Sequence, residues 1–497
     1  MNVSSAWSSV NNRLDSHFFS MAGQHLFARL SGDYNPMHVD PVQARRTLFG
    51  HAVVHGVHGL MWALDCLLRK RDSSFVSIRT LRAQFRKQIP ADTEAAFSVL
   101  EENGDEFSLS ITVDGEAATL VQGSWGQAPR SAARPGIMRT VGLCEEWNID
   151  DAATTRGVLP LEMDTELLNR LFPALARFIP SIQAAEIAAA TRLVGMVCPG
   201  LRSLFMNLDL KAVTGDGEAM GLAYGIKRAN PRVGTVDLEV AGPTLQGVLA
   251  TLVRPRPQPQ PSMGEVRKAL AGACFSGQRA LVVGGSRGIG EVTAKCIAAG
   301  GGSVVITYVR GEEDARRVVD EIIEAGGRAY SILLDCLQPI AGIDEHLAGL
   351  GVPTHLYYFA TPSIPVNAKR IFSAAAFRRM AQYYVDGFAG LVQAVYPLSA
   401  GNLTILYPST VFLNQAEPGT GEYCAAKAAG EAVCAHLRKV LPGTLFVMPR
   451  LPRMRTDQTA SILPVKSLEP LAVMADILRR MADDSKPGGQ ELPAAAG

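Results

Sequence analysis

A chain of 497 residues is too long for one ordinary core and implies two or three domains of about 100–250 residues. Lys+Arg number 48 against Asp+Glu 47, a formal net charge of +1, so no overall field draws nucleic acid or an anionic membrane. The eight cysteines form no C-x-x-C pair and suit neither a zinc site nor a disulfide scaffold, so no metal is expected. The start, MNVSSAWSSVNNRLD, lacks the basic head and apolar run of a signal peptide, and no run of about 18 apolar residues suggests a membrane span. A cytoplasmic protein is the expectation.

In chain order, a turn-rich segment FARLSGDYNPMHVD (27–40) leads to an apolar helix-like stretch over 51–70. Strand-like runs broken by Gly and Asp follow: VSIRTLRAQFRKQI, EAAFSVLEENG, EFSLSITVDG and EAATLVQGSWG. One long helix followed by an antiparallel meander is an α+β pattern. The order recurs, with a helical region at about 164–194 followed by four strand-like runs. The segment 135–253 therefore reads as a second, degenerate copy of 1–130, with a Pro/Gly/Arg-rich break at about 128–138. Four prolines within 254–261 make 254–264 an extended linker. From 275 to 484, apolar strands alternate with amphipathic helices, the grammar of a doubly wound parallel sheet. The tail 485–497 reads as disordered.

Histidines fall at 17, 25, 38, 51, 55 and 58, and then none appears until 346, so acid–base chemistry by histidine belongs to the first copy. There Asp33 and His38 share one loop, and Gly56 opens an apolar helix. Asp33, Asn35, Pro36, His38, Phe49, Gly50, His55 and Gly56 together resemble the MaoC-like, R-specific enoyl-thioester hydratase family. The resemblance implies a hotdog fold, often in two fused copies of which one is active. It also implies that Asp33 and His38 hold and activate water as general acid and base. The Gly56 N–H, at a helix N-terminus, would then face the thioester oxygen, with glycine permitting close approach of substrate. Asn35 orders the loop, while His51 and His58 pack or meet solvent.

In the C-terminal region, VVGGSRGIG follows a strand and opens a helix, placing Gly284, Ser286, Arg287, Gly288, Ile289 and Gly290 where a phosphate-cradling turn sits. Ser409 ends a later strand, and Tyr423 and Lys427 lie one helical turn apart. The set resembles the short-chain dehydrogenase/reductase family over 275–480. By that resemblance Tyr423 exchanges the proton, Lys427 lowers the tyrosine pKa and binds ribose, and Ser409 polarises the carbonyl. Asp335 matches a position touching adenine, and Thr456 one near the nicotinamide amide. The second strand, SVVITY, ends without an acid while Arg287 and Arg310 lie nearby, which favours NADP(H) over NAD(H). Three departures stand out: Gly284 replaces a threonine, Phe359-Ala360-Thr361-Pro362 replaces Asn-x-Ala-Gly, and the helix YYVDGFAGLVQAV carries no asparagine, with Tyr384 or Asp386 near its place.

Together the halves suggest a bifunctional enzyme, reducing 3-oxoacyl thioesters and interconverting 3-hydroxyacyl and 2-enoyl thioesters. The carrier, coenzyme A or acyl carrier protein, is open, and a homo-oligomer agrees with both families' pairing habits. Two alternatives remain: a hotdog half that only binds acyl groups or dimerises, or a reductase for an unrelated carbonyl such as a sugar or polyol.

Overall fold

The computed structural model describes residues 13–484 apart from 71–74, 128–133, 138–141, 214–220, 271, 273–274, 341, 365–370, 416 and 462–464. The expected disordered tail, and most of the expected break at 128–138, lie outside the described residues. The chain divides into two compact units, Met1–Arg256 and Pro257–Gly497.

The first unit is built on one antiparallel sheet. Its first half comprises β1 (Arg13–Phe19), β2 (Ser77–Phe85), β3 (Thr93–Asn103), β4 (Glu106–Val113) and β5 (Glu116–Gly126). Its second half comprises β6 (Arg156–Pro160), β7 (Ser203–Ala212), β8 (Gly221–Asn230), β9 (Thr235–Ala241) and β10 (Leu245–Val253). The strand order is β1-β3-β4-β5-β2-β7-β10-β9-β8-β6, so the second half repeats the first in reverse about the β2–β7 pair. At that seam Leu81 faces Leu210 and Ala83 faces Leu208, all four buried. On the outer face Arg82 pairs with Asp209 at 3.0 Å. Period-2 alternation turns the leucines inward and the charges outward, which fixes the register.

Each half wraps one helix. Gly56–Leu68 is apolar on nearly every side and is buried from Val57 onward, as a helix without a polar face must be. Its counterpart, Ser181–Arg192, is rich in alanine and equally buried, and it runs on into a π-turn over Leu193–Val197. Both helices join one hydrophobic core. Asp65 ties the halves by accepting the Leu175 N–H at 2.9 Å while pairing with Arg69. This is the hotdog arrangement in two copies.

The second unit carries β11 (Arg279–Val283), β12 (Ser303–Tyr308), β13 (Arg328–Leu333), β14 (His355–Tyr358), β15 (Thr404–Leu406), a short strand β16 (Ser409–Thr410), β17 (Leu445–Val447) and β18 (Arg450–Leu451). Six of them form a parallel sheet in the order β13-β12-β11-β14-β15-β17, with an apolar core on each face. Strand order reverses between β11 and β14, and ligands of such sheets bind in the crevice at that reversal. The linker is shorter than its composition suggests. From Pro257 the chain already belongs to this unit: Gln258 N donates to Asp457 Oδ1 at 2.7 Å and buried Lys295 donates to the Pro261 carbonyl at 3.0 Å. A helix begins at Met263, stopped at its start by a reciprocal Ser262–Glu265 cap, so the unit starts well before 275.

Candidate functional sites

In the first unit, helix Met21–Ser31 ends at Gly32, whose φ of 76° turns the chain sharply into the loop. Asp33 follows, 1% exposed, its Oδ1 accepting the Asn35 N–H at 3.1 Å. Asn35 caps the four-residue helix Pro36–Val39 by accepting the Met37 N–H, and that helix carries His38. Asn35 also donates to the carbonyls of Gly195 and Gly200, at 2.9 and 3.1 Å. It orders the loop, as the sequence implies, but it does so through the second copy.

The second copy reaches the carboxylate too. Thr191 donates its hydroxyl to Asp33 Oδ2 at 2.7 Å. A Cβ at Gly195 would stand 2.1 Å from Asp33 Oδ1, so only glycine lets the π-turn close there. No residue type or spacing in the sequence marks Thr191 for this place.

His38 faces the Val53 carbonyl through Nδ1 at 2.7 Å, which fixes Nδ1 as the protonated nitrogen and leaves Nε2 as a base. His55, not singled out for any role by its sequence position, stacks on His38 with ring centroids 3.9 Å apart. Its Nε2 lies 2.9 Å from the Asp33 carbonyl oxygen and its Nδ1 3.1 Å from Gln24 Oε1. Burial lowers both imidazoles to about 3, so at neutral pH they are uncharged. Burial raises the Asp33 carboxyl above its ordinary value, against the opposing effects of His38, Thr191 and Asn35.

Side-chain atoms of Asp33, His38 and His55 come within 4.8 Å of one another. The set does not suit a metal: both His55 nitrogens and His38 Nδ1 already face oxygen acceptors, leaving two donors where three or four are needed. Gly56 begins its helix, and its N–H is among the first-turn amides that lack an internal acceptor. The space at its α-carbon is not a substrate's, however. A Cβ there would meet the Phe85 ring at 2.7 Å, so glycine is required by packing. His58 lies flat on Phe27, centroids 4.6 Å apart, and packs.

In the second unit the Gly284–Gly290 turn follows β11 at the reversal of strand order. Gly284 has φ 76° and Gly288 φ 59°, conformations that suit glycine, and a Cβ at Gly290 would lie 2.2 Å from the Gly284 carbonyl. Ser286 is buried, Arg287 holds the position just before the helix Gly288–Ala299 without a side-chain cap, and Ile289 packs on the core beneath. Thr456 Cγ2 would be 3.6 Å from a Cβ on Gly288, so Thr456 sits over the turn. The turn thus leaves a shallow cradle of backbone amides at a helix N-terminus, which fits a dinucleotide phosphate. Arg310 is exposed just beyond β12, and Asp335 folds onto its own loop, accepting the Leu337 N–H at 3.0 Å.

Tyr423 and Lys427 lie one turn apart on helix Gly421–Val440. The hydroxyl beside Tyr423 is that of Thr410, which hydrogen-bonds the phenol. Ser409, expected in that role, instead donates to Glu431 Oε1 at 2.5 Å, and Glu431 is held by Arg450 at 2.8 Å. The cause is strand alternation: in β16 neighbouring side chains point to opposite sides, and the phase places threonine in the site. Burial raises Tyr423 to about 12 against the lowering effect of Thr410, and burial lowers Lys427 to about 7.

Family models match this chain twice, a MaoC like domain over residues 17–120 and a short chain dehydrogenase over 278–445. An uncharacterized oxidoreductase of Methylorubrum extorquens is 28% identical over 175 residues, 34% of this chain and 68% of that one. A hydroxynaphthalene reductase-like protein of Metarhizium guizhouense is 47% identical over 61 residues, 12% of this chain and 23% of its own length. A 3-oxoacyl-[acyl-carrier-protein] reductase of Synechocystis is 42% identical over 71 residues, 14% of this chain and 27% of its own. The chain is a fusion of a MaoC-like hotdog domain with a short chain dehydrogenase domain of Rossmann-like fold.

Proposed function

We propose that the protein is a bifunctional acyl-thioester enzyme: the C-terminal unit reduces 3-oxoacyl thioesters to 3-hydroxyacyl thioesters with NADPH, and the first unit interconverts these with 2-enoyl thioesters. The observation that carries the reading is that each unit assembles its own acid–base set, Asp33 with His38 in one and Thr410, Tyr423 and Lys427 in the other. The likeness to a 3-oxoacyl reductase supports the substrate class.

In hydration, neutral His38 accepts a proton from water through Nε2, since Nδ1 is committed to Val53. Asp33, its carboxyl raised by burial, delivers a proton to the α-carbon and is reset by the proton His38 took up. The Gly56 N–H stabilises the enolate oxygen. Dehydration runs the same steps backwards. In the reductase unit, NADPH supplies hydride to the carbonyl carbon. Thr410 orients the carbonyl oxygen and Tyr423 donates its phenolic proton to that oxygen. The positive charge of Lys427 eases the loss of that proton. Arg287 and exposed Arg310 near the end of β12, which has no acid at its last residue Tyr308, fit a 2′-phosphate and favour NADP(H) over NAD(H).

One observation favours a second reading for the first unit, an acyl-binding module: both Asp33 oxygens already have partners inside the protein. The likeness to a hydroxynaphthalene reductase-like protein supports the corresponding alternative for the other unit, a carbonyl that is no thioester. The test is to incubate the protein with NADPH and a short 3-oxoacyl thioester and follow products by mass spectrometry. Gain of two hydrogens followed by partial loss of water supports both activities. Reduction alone supports the binding-module reading, and no reduction removes the thioester reductase.

A further inference from the structure

Lys427 is fully buried in an unusual setting. Its Nζ donates to the Pro408 carbonyl at 2.7 Å, and among the described residues it meets no carboxylate within ion-pair distance. Two aromatic faces stand where a counter-charge would be expected. Nζ lies 4.0 Å from the centroid of the Tyr384 ring and 5.0 Å from that of Tyr407. Buried ammonium groups over ring faces are held by the negative face of the π system, an attraction that strengthens as water is excluded.

Tyr384 is itself fixed on three sides. It belongs to a π-helical turn, Gln382–Gly387. Its hydroxyl shares a hydrogen bond of 2.6 Å with Thr361, and its carbonyl accepts the Tyr407 hydroxyl at 3.1 Å. The Tyr407 hydroxyl reaches that carbonyl because position 430 is glycine; a Cβ there would stand 1.8 Å from it. Tyr384 also meets the edge of Tyr423, with ring centroids 5.9 Å apart and planes at 74°. One side chain therefore touches both the proton-donating tyrosine and the lysine that tunes it.

We infer that Tyr384 is a positioning residue of the reductase site, its ring holding the Lys427 ammonium beside Tyr423 and its hydroxyl, tied to Thr361, holding the ring. The role rests on the reductase reading given above. The groups that face Lys427 are Tyr423, Glu431 and Cys434 on its own helix, Tyr384 on the π-helical turn, and Tyr407 after β15. Of these only Glu431 is a carboxylate, and it is engaged by Ser409 and Arg450. The rings thus stand against the buried amine and hold it in place.

The test combines a spectroscopic and a kinetic measurement on the full chain. In protein labelled with carbon-13 lysine, the Lys427 ε-methylene signal, identified by its loss in Lys427→Arg, should stand upfield of ordinary lysines through ring currents. Tyr384→Phe should keep that displacement, and Tyr384→Leu should remove most of it. In parallel, Tyr384→Phe should reduce a 3-oxoacyl thioester within about 3-fold of the wild-type kcat, while Tyr384→Leu should lose about 10-fold or more with KM little changed. If Tyr384→Leu does not fold, Thr361→Val, which breaks the same tie as Tyr384→Phe and also leaves the ring, should match that variant in signal and in kcat within about 3-fold of the wild type. A lost displacement or a much larger fall in kcat in Thr361→Val overturns the inference. An unmoved signal in folded Tyr384→Leu, or Tyr384→Phe as slow as Tyr384→Leu, overturns the inference for Tyr384 alone. A wild type that reduces no carbonyl offered overturns the reductase reading, and the positioning role with it.

Discussion

Thr191 and Asp33, 158 positions apart, share a hydrogen bond of 2.7 Å. The copy that has no histidine therefore contributes to the site of the copy that has them. The bond lowers the Asp33 pKa against the upward effect of burial, so removing it destabilises the carboxylate.

Thr191→Val should slow hydration of a 2-enoyl thioester by about 10-fold, the scale of one hydrogen bond to a charged group. Because the variant's Asp33 pKa rises further and Asp33 must start protonated to deliver its proton, the alkaline limb of its pH–rate profile should move to higher pH, and Thr191→Ser should restore it. An unchanged profile in Thr191→Val would show that Asp33 does not titrate in the reaction.

His55→Phe retains a ring to stack on His38 but loses contacts with Gln24 and the Asp33 carbonyl. A neutral imidazole donates one proton, so one buried acceptor loses its donor, and unfolding in urea should show a loss of about 1–3 kcal/mol. Hydration should fall while reduction stays at the wild-type rate. Equal loss of both activities would mean that the variant damages the whole chain.

The two neighbouring hydroxyls of β16 give opposite expectations. Thr410→Val should lower reduction by about 100-fold, as expected for a group that acts on the reacting oxygen. Ser409→Ala should leave kcat near wild type and cost about 1 kcal/mol of stability through the lost bond to Glu431. Steady-state rates with NADPH decide it, and the reverse order would put serine back in the site.

Lys427 has a folded pKa of about 7, below its ordinary value, because burial penalises the charge. Between about 7 and the ordinary lysine range the unfolded chain binds more protons than the folded one, so stability rises with pH there. Lys427→Met escapes the burial penalty. It should abolish reduction yet melt higher than wild type at pH 7, with the gap narrowing as pH rises toward 10. A gap that widens with pH would contradict the sign of this shift.

Much of both sites was legible because their residues are local in sequence. Asp33, Asn35 and His38 sit on one loop, and the glycines of 284–290 on one turn, so short motifs could carry the family resemblances that pointed to them. The second copy's strand pattern was also legible, although that copy has no histidine. Other features needed coordinates. Thr191 and Gly195 reach Asp33 only through packing of one copy on the other, which no local pattern encodes. The choice of Thr410 over Ser409 depends on the phase of a two-residue strand, too short for alternation to be read. Gly56 was expected to make room for substrate, whereas the group that crowds its α-carbon is the Phe85 ring, which no local pattern announces. The linker misled because proline content reports backbone shape and says nothing of anchoring partners such as Lys295.

The pairing of β2 with β7 also decides where the molecule can be divided. A fragment ending near 130 would leave β2 with a row of unsatisfied amides and carbonyls along a bare edge, a template for self-association. Such a fragment should elute as large aggregates in size-exclusion chromatography, whereas a cut after Arg256 severs no strand pair. The copy without histidines thus covers the open edge of the copy that carries them.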